Sequence, residues 1–380
     1  MRHHPHYQIP FGGTMTTAAA TQMTAPETLG IALIGCGGMA NNYRNNYSHI
    51  PGTAYRLVVD VNAELAAEVA AQVGAERSSS DWRDALADDI HAADISTPNH
   101  LHAEQATALL QAGKHVLLQK PMAPTLDECR AIVAAAKASG KQAAVYMSDL
   151  EDGTVWDMRD IVQDGYLGRV TGVRARYAHR GGLTAKPVAT NWRGSAEKTG
   201  GGAFMQLSIH HTNVLCWVLD DLITSVMAYS KNLMSPNIGG DDLTSAVCEF
   251  GKSGVLGIFE SAWNADGNCI EIYGSEGSLK MTGGQGAPVE VRLNRPFDGR
   301  VIKVEKENTL VQLPRSGGTR EHCDPENPLN QHVGFMKAVR DGQPFPVTAE
   351  IGLYDVAVVK AVYLSAETGR RVTLEEMLAT

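Results

Sequence analysis

Gly30-Ile31-Ala32-Leu33-Ile34-Gly35-Cys36-Gly37-Gly38-Met39-Ala40 is the stretch whose reading decides the fold. The apolar run Ile31–Ile34 predicts a buried parallel strand. It leads into Gly35-x-Gly37-x-x-Ala40. Gly35 permits the tight turn, Gly37 lets the main chain approach a pyrophosphate, and Ala40 allows the following helix to pack closely. That helix is expected to begin near Met39 and aim its N-terminal N–H groups at the phosphates, with Gly38 and Met39 lining the turn. A second apolar run, Leu57-Val58-Val59, ends in Asp60, 25 residues after Gly35. An acid there accepts hydrogen bonds from the adenosine ribose and repels a 2′-phosphate, which points to NAD rather than NADP.

The rest of the first half repeats this rhythm. Helices are expected at 63–73, 102–111 and 126–139, with strands at 93–95, 115–118 and 143–147. Gly113 and Gly140 stand where helices end. Alternating strands and helices mean a parallel sheet covered on both faces. After 147 the pattern changes. A helix is expected at 155–162, then strands with one polar face at 169–177, 243–250, 254–261 and 270–272, with a hairpin turn at Gly274–Gly277. Gly200-Gly201-Gly202 precedes a further helix. Residues 283–325 read as loop-rich, and two helices, near 330–340 and 353–367, close the chain. The expected fold is α/β: a doubly wound Rossmann domain over 29–148, then an α/β domain with a large, mostly antiparallel open sheet over 149–380.

Composition narrows the class. The chain has 380 residues and a net charge of −9, which argues against a nucleic-acid partner. No apolar run is long enough to span a membrane. The six cysteines, Cys36, Cys129, Cys216, Cys248, Cys269 and Cys323, show no C-x-x-C spacing. They read as free thiols in a reducing, cytoplasmic setting and not as a metal site. Residues 1–28 read as a flexible tail, with His3, His4 and His6 solvated and Met15 a second possible start.

Candidate chemistry clusters at strand ends. Ser96, Thr97, Asn99 and His102 follow one parallel strand, and Gln119 and Lys120 close the next. In open α/β sheets ligands bind at that edge. Gln206 and His210 are four residues apart on one expected helix face, with His211 turned away from them. Lys120 reads as either a surface residue or a functional ammonium facing a nicotinamide, and His210 as either a general base or a satisfied structural histidine.

These blocks resemble the Gfo/Idh/MocA family, the glucose-fructose oxidoreductase and inositol dehydrogenase-like enzymes. The likeness runs from Leu29 to the C-terminus. It includes the glycine turn, Thr97-Pro98-Asn99-His100, Gly113-Lys114-His115-Val116 followed by Lys120-Pro121, and Asn191-Trp192-Arg193. It continues through Gly200-Gly201-Gly202 with His210 and ends at Ser365–Arg370. The resemblance implies hydride transfer between a sugar or cyclitol hydroxyl and NAD. It implies Lys120 as the cation, His210 as the base with Gln206 beside it, and Trp192 and Arg193 near the cofactor. Lys120, Arg193, Gln206, His210 and His211 are then the substrate-facing set. It also implies a homodimer or homotetramer formed through the second-domain sheet. Two further family activities stay open: an NAD-dependent glycosidase working by transient oxidation and elimination, and a non-catalytic ligand-sensing regulator.

Three positions depart from the family pattern. Gln119, Gln206 and Asn213 stand where carboxylates are usual. The expectation is a more positive pocket, suited to an anionic sugar, in which no acid supports the imidazole of His210.

Overall fold

The computed structural model describes residues 28–187, 191–284, 286–313, 330–342, 345 and 347–379. The tail expected over residues 1–28, apart from Thr28, lies outside them, as does Cys323. The chain divides into two compact units. One comprises residues 28–147 and 330–353, the other 148–313 and 354–379. Residues 330–353, expected in the second domain, therefore group with the first.

The first unit is built on six strands: β1 (Leu29–Ile34), β2 (Thr53–Val59), β3 (Arg77–Ser79), β4 (Ala92–Ile95), β5 (His115–Gln119) and β6 (Ala143–Tyr146). Their order is β3-β2-β1-β4-β5-β6, and every pairing is parallel. This is the doubly wound order, whose direction reverses between β1 and β4. All six residues of β1 are buried, as its unbroken apolar run requires. Helices α1 (Ala63–Val73), α2 (His102–Gln111) and α3 (Leu126–Ser139) cover the sheet. Asn62 caps α1 through its side chain, and Gly74 ends it in the left-handed conformation. Thr125 and Glu128 form a reciprocal capping box on α3.

One expected helix is missing. After the glycine turn the chain makes only a short 3-10 turn at Ala40–Asn42 and another at Asn46–His49. Four asparagines, at 41, 42, 45 and 46, occupy this stretch. Asparagine side chains compete for main-chain hydrogen bonds, which discourages a continuous helix.

The second unit opens with α4 (Gly153–Gln163) and carries a nine-stranded sheet. Its longer strands are β7 (Val170–Ala178), β8 (Ile223–Lys231), β9 (Leu243–Phe250), β10 (Leu256–Ala262), β11 (Cys269–Gly274), β12 (Gly277–Thr282) and β13 (Val289–Leu293). Thr309–Leu313 and Val372–Thr373 form its two edges. Only the β7–β10 pairing is parallel. Gly274 and Gly277 face each other across the β11–β12 hairpin. The expectation of a loop-rich 283–325 fails over its described part. Val289–Leu293 and Thr309–Leu313 pair there as sheet strands. Val289–Leu293 alternates buried apolar with more open polar residues, whereas Thr309–Leu313 buries no residue and leaves Leu310 exposed, so its own composition gave little strand signal. The unit also holds the one-turn α5 (Ala196–Thr199), the longer α6 (Ile209–Leu219), entered through a π-helical turn at Phe204–Ser208, and a C-terminal helix at Leu374–Ala379.

The chain returns to the first unit with α7 (Gln331–Asp341). Gln331 accepts from the main-chain N–H of Met147 at 3.0 Å and donates to its carbonyl. Val145 N–H donates to Val347 O at 2.9 Å. These bonds explain why 330–353 joins the parallel sheet. The long α8 (Ala349–Thr368) then leads back to the second unit. Among the described residues, five cysteines are free thiols, no cluster could hold a metal ion, and no helix is long and apolar enough to cross a membrane.

Candidate active site

In the first unit the glycine turn lies at the reversal between β1 and β4. Gly35 adopts φ +94°, and a Cβ there would sit 2.8 Å from the carbonyl carbon of Ser96. No other residue fits without displacing β4's end. Gly37 and Gly38 are the opposite case: a Cβ on either would meet nothing within 4 Å. That open space is room for a ligand against bare main chain. Ala40 is fully buried, as close packing requires.

Asp60 closes this turn. Its carboxylate accepts from the N–H of Cys36 at 2.8 Å and of Asn62 at 2.9 Å. A carboxylate offers about four acceptor positions, so capacity remains for ribose hydroxyls. Burial, reinforced by Asp60, pushes the Cys36 thiol up to about 12, which leaves it inert. At the end of β4, Ser96 Oγ is hydrogen-bonded to Tyr43 O–H, and Thr97 donates to Gln105 at 2.7 Å. Asn99, three residues beyond Ser96, is buried.

His102 behaves differently from expectation. It is fully buried, with Nδ1 3.0 Å from Pro121 O and Nε2 2.9 Å from Thr97 O. Burial depresses its pKa. The neutral ring donates to one of these carbonyls, and both its nitrogens face main-chain oxygens of the β4 and β5 loops. Lys120 sits half-buried just past β5, joined to Pro121 by a cis peptide. Gln119 is buried; its Oε1 accepts from Lys120 N–H at 3.1 Å, and its Nε2 has no partner among the described residues. An orphaned buried donor at the end of β5, an open glycine turn after β1 and an acid after β2 lie at strand ends of one parallel sheet and fit a bound dinucleotide.

In the second unit three glycines set the start of the histidine-bearing helix. A Cβ at Gly202 would lie 2.1 Å from Asp241 O, and one at Gly201 would strike the Tyr363 ring. With hydrogen there instead, Asp241 accepts from the N–H groups of Gly202 and Phe204, both at 3.0 Å. Tyr363 donates to the same carboxylate at 2.7 Å. An anion thus caps the helix that carries Gln206, His210 and His211.

His210 is the centre of this unit's polar chemistry. Its Nδ1 is hydrogen-bonded to Asp149 Oδ2, and both side chains are only 8% exposed. The expectation that no acid supports His210 is therefore corrected. The carboxylate comes from the 3-10 turn Ser148–Glu151 and not from the helix itself. Tyr177, from β7, stacks on His211 at 4.9 Å and tilts against His210 at 5.5 Å. Burial holds the His211 pKa down to about 4, opposed by Asp149 and assisted by His210. His211 is thus neutral and structural in charge. Asn213, the other amide in the helix, donates to Asp355 at 2.9 Å. Burial pushes that carboxyl well above the usual range, so it serves as a hydrogen-bond partner and not as a fixed charge. Arg193 lies over the Trp192 ring at 4.6 Å, on a turn capped by Asn191.

Asp149, Tyr177 and Asp241 were not singled out from the sequence. Asp149 had a usable signal: it follows the last strand of the parallel sheet, at the edge where ligands bind.

Comparison with known proteins places these geometries in context. Residues 29–147 match the model of an oxidoreductase family with an NAD-binding Rossmann fold, and residues 155–280 match a GFO/IDH/MocA C-terminal domain. The chain is 27% identical over 348 residues to 1,5-anhydro-D-fructose reductase of Ensifer adhaerens, covering 90% of this chain and 98% of that protein. It is 30% identical over 288 residues to levoglucosan dehydrogenase of Pseudarthrobacter phenanthrenivorans, covering 67% and 73%. The structure of a levoglucosan dehydrogenase in complex with NADH and levoglucosan superimposes with a TM-score of 0.80 at 24% identity, covering 91% and 99%.

Proposed function

This chain belongs to the Gfo/Idh/MocA family of oxidoreductases, and we propose that it moves a hydride between NAD and a hydroxyl-bearing carbon of a neutral sugar or cyclitol. The observation that carries this reading is the buried His210–Asp149 pair at the head of an anion-capped helix. Bound NAD supplies the hydride acceptor or donor. The chain's own residues do the rest. The glycine turn and Asp60 hold the dinucleotide, with Ser96, Thr97 and Gln119 at the neighbouring strand ends. His210 takes the hydroxyl proton through Nε2, and the Lys120 ammonium favours the developing alkoxide.

Asp149 beside His210 removes the reason to expect an anion-selective pocket, so a neutral substrate is the better reading. The net charge of −9 and the widely spaced thiols support a cytoplasmic protein. The exposed Met227, Val247 and Ile258 lie in register on β8, β9 and β10 and support assembly of copies through that sheet.

The test is direct. Levoglucosan and myo-inositol are incubated with NAD, 1,5-anhydro-D-fructose with NADH, and glycosides and uronates with NAD; absorbance is followed and products are weighed by mass spectrometry. NADH formation or consumption with a neutral substrate is expected. Glycoside cleavage without NADH accumulation would favour the elimination chemistry. No turnover at all would overturn the reading and leave a sensor.

A further inference from the structure

We propose that Asp149 is the positioning carboxylate of His210, supplied from a separate turn in place of the acid absent at Gln206. The inference rests on the reading of His210 as the proton acceptor.

Three observations carry it. The contact is made at Nδ1, so the carboxylate holds the ring proton on that nitrogen and turns the Nε2 lone pair toward the reacting hydroxyl. Both side chains are shielded from water, where a charge-assisted hydrogen bond is strongest. The turn bearing Asp149 is itself fixed: Asp149 O accepts from Asp152 N–H at 3.1 Å, and Asp152 caps α4 by accepting from Thr154 N–H at 2.9 Å. Tyr177 restrains the ring from the side. His211, next to the pair, is held neutral by burial and so does not compete for the carboxylate. During oxidation the hydroxyl proton passes to Nε2, the Nδ1 proton stays on the ring, and the resulting imidazolium faces Asp149. No proton moves to the carboxylate.

The parallel at Asn213 is instructive. There too an amide in the helix meets an acid from elsewhere in the unit, Asp355. Burial pushes that carboxyl up, which leaves Asp149 as the acid suited to charge compensation.

The experiment compares the parent chain, Asp149→Asn, and Asp149→Asn combined with Gln206→Asp. It uses whichever of levoglucosan, myo-inositol or 1,5-anhydro-D-fructose turns over. By analogy with loss of an orienting acid elsewhere, Asp149→Asn should lower kcat by about 10²–10⁴-fold. KM and the NAD Kd should stay within roughly threefold, because ground-state binding is untouched. Adding Gln206→Asp should recover at least about tenfold of kcat, since it restores an acid one turn before the imidazole. Retained kcat in Asp149→Asn would overturn the proposal, as would a loss that Gln206→Asp does not relieve. A second measurement needs no substrate and reads the parent chain itself. Nitrogen-15 NMR of the histidine-labelled full chain, with His210 assigned by substitution, should show the Nδ1–H tautomer at neutral pH. An Nε2–H tautomer would refute the assignment. If the functional reading itself fails, the parent shows no turnover while the tautomer still decides the role of Asp149.

Discussion

Tyr363 of α8 donates its hydroxyl proton to Asp241 at 2.7 Å, and the same oxygen accepts from the N–H groups of Gly202 at 3.1 Å and Met205 at 3.0 Å. One phenol thus serves both the carboxylate that caps the histidine-bearing helix and the main chain it caps. Burial, reinforced by Asp241, pushes the Tyr363 pKa well above the ordinary value, which keeps it a donor.

Tyr363→Phe should therefore destabilise the fold by about 1–3 kcal/mol, the cost of leaving buried polar groups unmet. It should also lower kcat, because the helix start that places His210 loosens. Urea unfolding with parallel kinetics checks both. An unchanged midpoint would show that water replaces the hydroxyl.

Gly35→Ala should be more damaging than its size suggests. The new methyl meets the main chain of Ser96 at 2.8 Å in a left-handed backbone. A strained residue of this kind costs on the order of 1–3 kcal/mol. Calorimetry and NAD titration should show a lower Tm and weaker NAD binding. Gly38→Ala is the control, since a Cβ there meets nothing, and its Tm should hold.

Lys120→Ala should leave the NAD Kd within a few-fold but lower kcat by about 10²-fold or more, because its charge acts mainly on the transition state. A variant with near-parental kcat would make Lys120 a structural residue.

The cofactor preference should follow Asp60. NAD should bind at least about tenfold more tightly than NADP, with Asp60→Ala narrowing the gap as the repulsion of a 2′-phosphate is lost. Tighter NADP binding to the parent would reverse this conclusion.

Stability should fall on acidification. Burial holds both His115 and His211 near 4, against 6.5 for an ordinary imidazole. The unfolded chain therefore binds more protons between those values. Their contribution is complete above about pH 6.5 and is lost as pH drops toward 4, by up to roughly 1.4 kcal/mol per pH unit for each ring. The urea midpoint should be flat from pH 7 to 8 and decline below 6.5. His115→Gln should flatten part of that decline, and a midpoint that rises with acid would contradict it.

Local signals were legible in the sequence. Helices α1 and α3 fall on their expected residues because the caps Asn62, Gly74, Thr125 and Gly140 sit at their ends; α2 starts without a side-chain cap. The β1 run and Gly35 announced the nucleotide turn for the same reason: each is dictated by its own neighbourhood. What stayed hidden depends on partners distant in sequence. Asp149 meets His210 across 61 residues. His102 looks like a ligand residue until Thr97 O and Pro121 O are found at its two nitrogens. Edge strands such as Thr309–Leu313 owe their pairing to Val289–Leu293 more than to their own composition.

The return of α7 to the first unit has a consequence for inheritance. His332 lies fully buried, 2.9 Å from Asn46 and 3.2 Å from Asp94, among the rings of Tyr43, Tyr47 and Tyr146. A piece of the nucleotide-binding core is thus encoded almost two hundred codons after the rest. Recombination that swaps only the front half of such a gene between relatives would unite a core with a foreign keystone. Crossovers that respect this unit must come in pairs, which favours its drift as a whole over its exchange as a cassette.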